Sequence, residues 1–284
     1  MRRQVFQVDA FTTERFSGNP AGVVFPSDDL EAREMTLLAR ELGNSETAFI
    51  MSDKKTLRFF TPIQEVPLCT HATVASYHVM VTSLGLPYGR HVMHCKAGEL
   101  PVEVKEHGKH PLVAVSQNAV QYGHLLGKEE QYLLEKAIGF PLAYVSLPIQ
   151  WVSTGNPKIL VPLQNISQLT ALKPDRQALI ALGNRIGCPG FYFFTLEKAE
   201  AGIDAHARMF SPGSGVDEDP VTGNAAGALA MYLKHYEKIE GKRACVIRQQ
   251  DSLGRFGYIS VHMDGEIPTI TGTAVTVFGG SMDW

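Results

Sequence analysis

Apolar residues recur along this chain in two rhythms. A two-residue alternation or a short unbroken apolar run marks residues 4–11, 21–25, 44–51, 56–60, 91–105, 111–117, 149–154, 159–162, 190–196, 205–210, 243–249, 257–263 and 269–278, and predicts strands there. A helical rhythm marks 30–42, where Met35, Leu38 and Leu42 share a face, Pro26-Ser27-Asp28-Asp29 supplies the start and Gly43 the stop. It returns at 126–138, closed by Gly139, and within 166–182, where Pro174-Asp175 opens a helix. Two stretches differ from these. Residues 70–84 carry Ala72, Val74, Ala75, Val79, Met80 and Leu84 and are apolar nearly all round; residues 223 to about 236 run through Ala225, Ala226, Leu229 and Ala230. A helix without a polar face is a buried helix.

Many strands around one Ala-rich helix in each half predict an α+β protein of two pseudo-symmetric lobes, each a strongly curved, mostly antiparallel sheet wrapped on a buried central helix. The order of short motifs supports duplication. Ser17-Gly18-Asn19-Pro20 is matched by Thr154-Gly155-Asn156-Pro157, and Arg58-Phe59-Phe60-Thr61-Pro62 by Arg208-Met209-Phe210-Ser211-Pro212. Acids and a proline follow each time (Glu65, Pro67; Asp219, Pro220), then an Ala-rich helix beginning at Thr70-His71 or Gly223-Asn224. The offset is about 140–150 residues, and a fixed order at a fixed offset is the signature of repeated units. The expected lobes are 1–116, with a C-terminal strand at about 273–284 crossing back, and 117–272. If they face each other, both central helices point their N-termini into one cleft, where free N–H groups and two positive dipole ends grip a small anion.

Composition changes the picture little. Of 284 residues, 44% are hydrophobic and 19% charged, and the net charge is −3, as in an ordinary globular protein. There is no Lys/Arg run or basic aromatic stripe, so nucleic acid is not an expected partner, and no apolar run reaches the length of a membrane span. The N-terminal stretch has two arginines but no apolar core behind them, which reads as a first strand, not a leader. The four cysteines, Cys69, Cys95, Cys188 and Cys245, are scattered, with no CxxC and no His/Cys cluster at metal-ligand spacing, so a reduced, cytoplasmic setting is expected.

Three titratable residues stand at the structurally special points. Glu46 lies at the mouth of the strand that places Ala48 and Ile50 on one face; turned inward its pKa rises, turned outward it is a strand-edge acid. His71 lies in the first turn of its helix, where the dipole disfavours imidazolium; it is either a neutral hydrogen-bond donor to a substrate or a partner of the preceding loop. Asp219 precedes the Pro220-Val221-Thr222-Gly223-Asn224 turn, where it is either chemically active or a plain cap.

Val8-Asp9-Ala10-Phe11 with Gly18-Asn19-Pro20, Ser45-Glu46-Thr47-Ala48-Phe49, Phe60-Thr61-Pro62 with Glu65-Val66-Pro67, Thr70-His71-Ala72-Thr73 and Glu218-Asp219-Pro220-Val221-Thr222-Gly223 together resemble the PhzF family of phenazine-biosynthesis-type isomerases, over nearly the whole chain. That family is similar in fold to diaminopimelate epimerase and proline racemase, which implies two like lobes, each a curved antiparallel β-barrel around a central helix, with the site between them. The resemblance implies cofactor-free, metal-free proton shuttling within a small carboxylate substrate, in a homodimer. Glu46 would remove a proton from one carbon and return it to another; His71 and Asp219 would position the substrate and steady its charge. Ser45 and the backbone around Thr70, Gly223 and Asn224 would hold the substrate carboxylate. Two positions depart from the family pattern. Thr70 stands where the family has Gly before its histidine, and Asn224 where it has Ser after Thr-Gly, and both imply another small anionic substrate.

Two rivals remain. A two-base racemase or epimerase would use a cysteine at each central helix start; Cys69 fits the first, but Thr222 occupies the second. A non-catalytic protein could bind a small acid in the same cleft, although Glu46 would then repel its ligand to no purpose.

Overall fold

The computed structural model describes residues 2–142 and 147–283. The chain divides into two compact units, one of residues 1–116 with 271–284, the other of residues 117–270.

In the first unit a six-stranded sheet is built from β1 (Arg2–Ala10), β2 (Asn19–Phe25), β3 (Thr47–Ile50), β4 (Leu57–Phe60), β5 (Glu65–Val66) and the last strand, β18 (Ala274–Asp283), in the order β18-β1-β2-β3-β4-β5. All neighbours are antiparallel except β2 and β3, joined through α1 (Ala32–Leu42). α1 begins where Glu34 reaches back to the N–H of Glu31 at 2.8 Å, two residues later than the sequence rhythm suggests, and ends on Gly43 at φ 69°. β6 (Gly89–Cys95), β7 (Gly98–Lys105) and β8 (Leu112–Ser116) form a meander, so the single strand expected over 91–105 is a hairpin turning at Lys96-Ala97.

The central helix α2 (Thr70–Thr82) packs on β1, β2, β3, β8 and β18, and every residue from Thr70 to Met80 is buried. Its threonine and serine hydroxyls bond back along the helix. Thr73 Oγ1 and Ser76 Oγ, both buried, and Thr82 Oγ1 at the exposed end each donate to the carbonyl four residues back at 2.7 Å, whereas the buried Tyr77 hydroxyl has no hydrogen-bond partner among the described residues. The expected closed barrel is not found among the described residues. β5 is only two residues long before Pro67 ends it, and what joins this sheet to β6 is a bridge between Thr56 and His94 and single backbone hydrogen bonds such as Ala97 N to Pro67 O. With no N–H on Pro67 and so short a strand, the ladder stops.

The second unit orders β9 (Gln121–Leu125), β10 (Gln150–Ser153), β11 (Lys158–Pro162), β12 (Phe191–Thr195), β13 (Ala205–Ser211), β15 (Ala244–Gln250) and β16 (Phe256–His262) as β9-β10-β11-β12-β13-β15-β16, with β14 (Val216–Asp219) paired to β13. Here too the strand order is open, and the β11–β12 and β13–β15 pairs are parallel. β17 (Thr269–Gly272) runs across the boundary of the units. α3 (Lys128–Ile138) and α5 (Arg176–Ile186) pack on each other over a core that includes Leu134, Leu179, Leu182 and Phe193. The helix expected within 166–182 is two, because Lys173-Pro174 separates α4 (Ile166–Ala171) from α5, which Asp175 caps through the Ala178 N–H at 2.9 Å. α6 (Gly223–His235) packs on β10, β11 and β16, with Gly223 and every residue from Ala225 to Leu233 buried.

The sequence repeat reappears as a repeated contact. Arg58 Nε donates to Glu65 at 2.8 Å and its guanidinium lies 5.0 Å from the Phe60 ring; Arg208 Nε donates to Glu218 at 2.7 Å and lies 4.9 Å from the Phe210 ring. In both, the arginine strand pairs with the short acidic strand, Phe60 opposite Glu65 and Phe210 opposite Glu218.

Candidate active site

The first unit gathers one group of residues at the start of α2. Glu46 ends the loop into β3, and its carbonyl accepts from the Gly22 N–H at 3.3 Å, which fixes the chain where β2 and β3 run parallel. A Cβ at Gly22 would lie 2.7 Å from Thr47 Oγ1, so the close approach requires glycine. Glu46 is turned inward, with 21% of its side chain exposed, and burial raises its pKa above the ordinary glutamate value. The Ser45 hydroxyl draws it partly back, though that buried oxygen makes no hydrogen bond of good geometry.

His71, the second residue of α2, is buried, and its Nε2 lies 3.5 Å from Glu46 Oε2. Cys69 is the residue before the helix; its carbonyl accepts the first helical bond from Thr73, and its thiol lies 3.3 Å from His71 Nδ1. Thr70, buried, opens the helix between them. Carboxyl, imidazole and thiol thus stand in mutual reach, with ligand atoms all within 4.8 Å of one another, a spacing that a small divalent ion could also use. Of the residues singled out from sequence, Ser45, Glu46, Cys69, Thr70 and His71 meet here.

Asp219, Thr222, Gly223 and Asn224 meet in the second unit at the start of α6. Asp219 ends β14, opposite Met209, and Thr222 is the residue before the helix, its carbonyl accepting from Ala226. The Thr222 hydroxyl donates to Asp219 Oδ2. Asn224 turns its amide N–H₂ to Gln117 Oε1 at 3.2 Å and to Thr154 Oγ1 at 3.2 Å, which ties the helix start to the second Gly-Asn-Pro stretch.

Sequence reasoning missed two buried residues here. Lys158 follows that stretch and donates to the carbonyls of Asn156 and Pro157 at 3.3 and 3.0 Å. Burial pulls its pKa down to about 8, partly opposed by the Cys188 thiol and the Asp219 charge. Gln249 is fully buried and bonded to both Asp219 and Thr222. Its signal was present: in β15 the alternation places Gln249 on the inward face with Cys245 and Ile247, where a polar residue is out of place unless it has a task.

An α+β scaffold that sets a raised carboxyl beside an imidazole at a helix start is suited to acid–base chemistry. The chain belongs to the PhzC-PhzF family, "phenazine biosynthesis-like protein", whose model matches residues 8–280. It is 39% identical to an uncharacterized isomerase of Escherichia coli strain K12, covering 98% of this chain and 97% of that protein. It is 30% identical to trans-2,3-dihydro-3-hydroxyanthranilate isomerase of Pseudomonas chlororaphis, covering 95% and 93%. Among solved structures, a Bacillus anthracis phenazine biosynthesis protein of the PhzF family superposes with a TM-score of 0.90 at 30% identity over the full length of both chains. A hydroxyproline epimerase of Agrobacterium vitis shares the fold, at 14% identity and a TM-score of 0.64 over 99% and 91% of the chains. The protein is thus a member of an isomerase family. No helix among the described residues is long and apolar enough to cross a membrane.

Proposed function

We propose that this enzyme moves a proton within a small carboxylate substrate, with Glu46 as base and then acid. The observation that carries the reading is the Glu46–His71 pair: a carboxyl raised by burial, 3.5 Å from an imidazole at a helix start. A raised carboxyl takes a proton from carbon and still gives it back, which a carboxyl of ordinary acidity does poorly near neutral pH. In this reading His71 donates to a substrate oxygen, Ser45 and the Thr70 backbone help hold the carboxylate, and Asp219, Gly223 and Asn224 serve the same substrate. The transfers use protein groups alone, without cofactor or metal. The Pseudomonas relative's substrate, trans-2,3-dihydro-3-hydroxyanthranilate, is a small unsaturated amino acid of the right kind; Thr70 and Asn224 favour a related acid of different shape.

The fold fits two pseudo-symmetric lobes, supported by the matched Arg58–Glu65 and Arg208–Glu218 contacts. A homodimer in the cytoplasm is in keeping with the family. The test is wash-in of deuterium from D2O into a panel of small unsaturated carboxylic acids, run after chelator treatment. Exchange that disappears in Glu46→Gln and persists in Cys69→Ala supports the reading. The opposite pattern gives the two-base racemase, and tight binding without exchange gives the small-acid-binding protein.

A further inference from the structure

A chain of hydrogen bonds, part of it fully buried, runs into Asp219, and backbone groups fix the direction of its central amide. Gln249 Nε2 lies 2.7 Å from the Asp219 carbonyl, which can only accept, and Gln249 Oε1 lies 2.9 Å from the Thr222 N–H, which can only donate. Backbone on both sides therefore fixes which way the amide faces. Oε1 also accepts from Tyr192 Oη at 3.0 Å, and the second hydrogen on Nε2 goes to Thr222 Oγ1 at 3.2 Å. The Thr222 hydroxyl, which accepts from Gln249 on one of its two lone pairs, gives its one proton to Asp219 Oδ2. Gln249 and Tyr192 are both fully buried, so no water competes for those two side chains, while Thr222 and Asp219 are partly buried.

We propose that Gln249 and Thr222 are positioning residues that hold Asp219 as an oriented, hydrogen-bond-accepting carboxylate at the start of α6. An acid whose Oδ2 already receives a fixed donor is stabilised in its charged form and acts on a bound molecule as an acceptor, not as a proton source. The Asp219 charge also reaches Lys158, whose pKa it raises against the effect of burial. The same network explains why Thr222 stands where the first half has Cys69. The position must accept from Gln249 and donate to Asp219 at once, which a hydroxyl does well and a thiol weakly. Thr222 is thereby excluded as the second base of a racemase.

This deepens the isomerase reading through Asp219 but is tested without turnover. Carboxyl-13C aspartate labelling, with the Asp219 signal assigned by its loss in Asp219→Asn, follows that group's titration directly. Gln249→Met and Thr222→Val are expected to raise its midpoint by about one pH unit, a tenfold change in acid dissociation. Thr222→Ser, which restores the hydroxyl, keeps the wild-type midpoint, and the Asp204 signal serves as the check on folding. Unchanged midpoints in folded Gln249→Met and Thr222→Val overturn the proposal. If Gln249→Met does not fold, the Thr222→Val and Thr222→Ser pair decides alone. Undiminished deuterium exchange in Glu46→Gln would sink the isomerase reading while leaving these midpoints where they are.

Discussion

Glu46 Oε2 and His71 Nε2 stand 3.5 Å apart, although one belongs to the loop before a strand and the other to the first turn of a helix. The pairing is held from both sides. Gly22 pins the backbone of Glu46 from the neighbouring strand, and burial of α2 leaves His71 little freedom. A carboxyl in this setting is costly when charged, and the proposed proton transfer would make use of that cost.

Glu46→Gln is therefore expected to reduce solvent-exchange turnover by about 10²–10⁴-fold while leaving the fold intact. Its effect on stability has the opposite sign. A carboxyl whose folded pKa is raised contributes fully below its unfolded pKa and loses that contribution as pH rises through the folded value. The glutamine variant should accordingly resist urea at least as well as wild type at pH 8. For the active enzyme, the low-pH limb of kcat/KM should lie above the ordinary glutamate range. A limb at or below that range would remove Glu46 as the base.

The Cys69 thiol is buried and lies against His71, yet the proposed proton path does not pass through it. Cys69→Ala should keep turnover within about tenfold of wild type, since general acid–base loss costs about 10² or more. A fall as deep as that of Glu46→Gln would return the thiol to the mechanism.

The two arginine–glutamate pairs offer a comparison within one molecule. Arg208 and Glu218 are nearly enclosed, 3% and 12% exposed, and Arg208 Nη1 also donates to the carbonyls of Leu169, Thr170 and Leu172. Arg58 and Glu65 are 30% and 19% exposed, and Lys96 stands 3.8 Å from Glu65 as a second cation. Arg208→Met strands a buried acid and should cost about 3–5 kcal/mol, whereas Arg58→Met should cost about 1 kcal/mol or less. Urea midpoints of the two variants, measured side by side, check the ranking.

His78, buried on α2 with Nε2 3.2 Å from Thr276 Oγ1, has its pKa lowered to about 4 by burial and, second, by His110. The folded protein keeps this imidazole neutral while the unfolded chain protonates it. Stability is therefore full above the unfolded value of about 6.5 and falls between there and about pH 4, by about 3 kcal/mol at most. Replacing it by glutamine should flatten the acid side of a stability–pH curve. An unchanged slope would place the acid sensitivity elsewhere.

Thr70 and Asn224 carry the last expectation. Thr70→Gly with Asn224→Ser should raise turnover of trans-2,3-dihydro-3-hydroxyanthranilate relative to wild type. Asn224→Ser also gives up the amide bonds to Gln117 and Thr154, so a lower melting temperature is expected alongside. Equal turnover by both proteins would dissociate these positions from substrate choice.

Local sequence was enough to fix where the two buried helices begin. Thr70 and Gly223 open α2 and α6 as the change from Pro-containing turn to Ala-rich run indicates, because an all-apolar helical stretch has no soluble alternative to burial. It also exposed the Arg58/Arg208 repeat, since side-chain order survives in the chain whatever the fold does. Strand closure could not be read there. Whether β5 continues a ladder depends on partners remote in sequence and on two residues stopping at Pro67. The inward turn of Glu46 and its meeting with His71, 25 positions later, came only from packing, as did the reach of Gln249 back to Asp219 across 30 positions. A hydrogen bond between distant residues leaves no periodic trace. It exists only once the core has closed and taken away the water that would otherwise have answered each polar group.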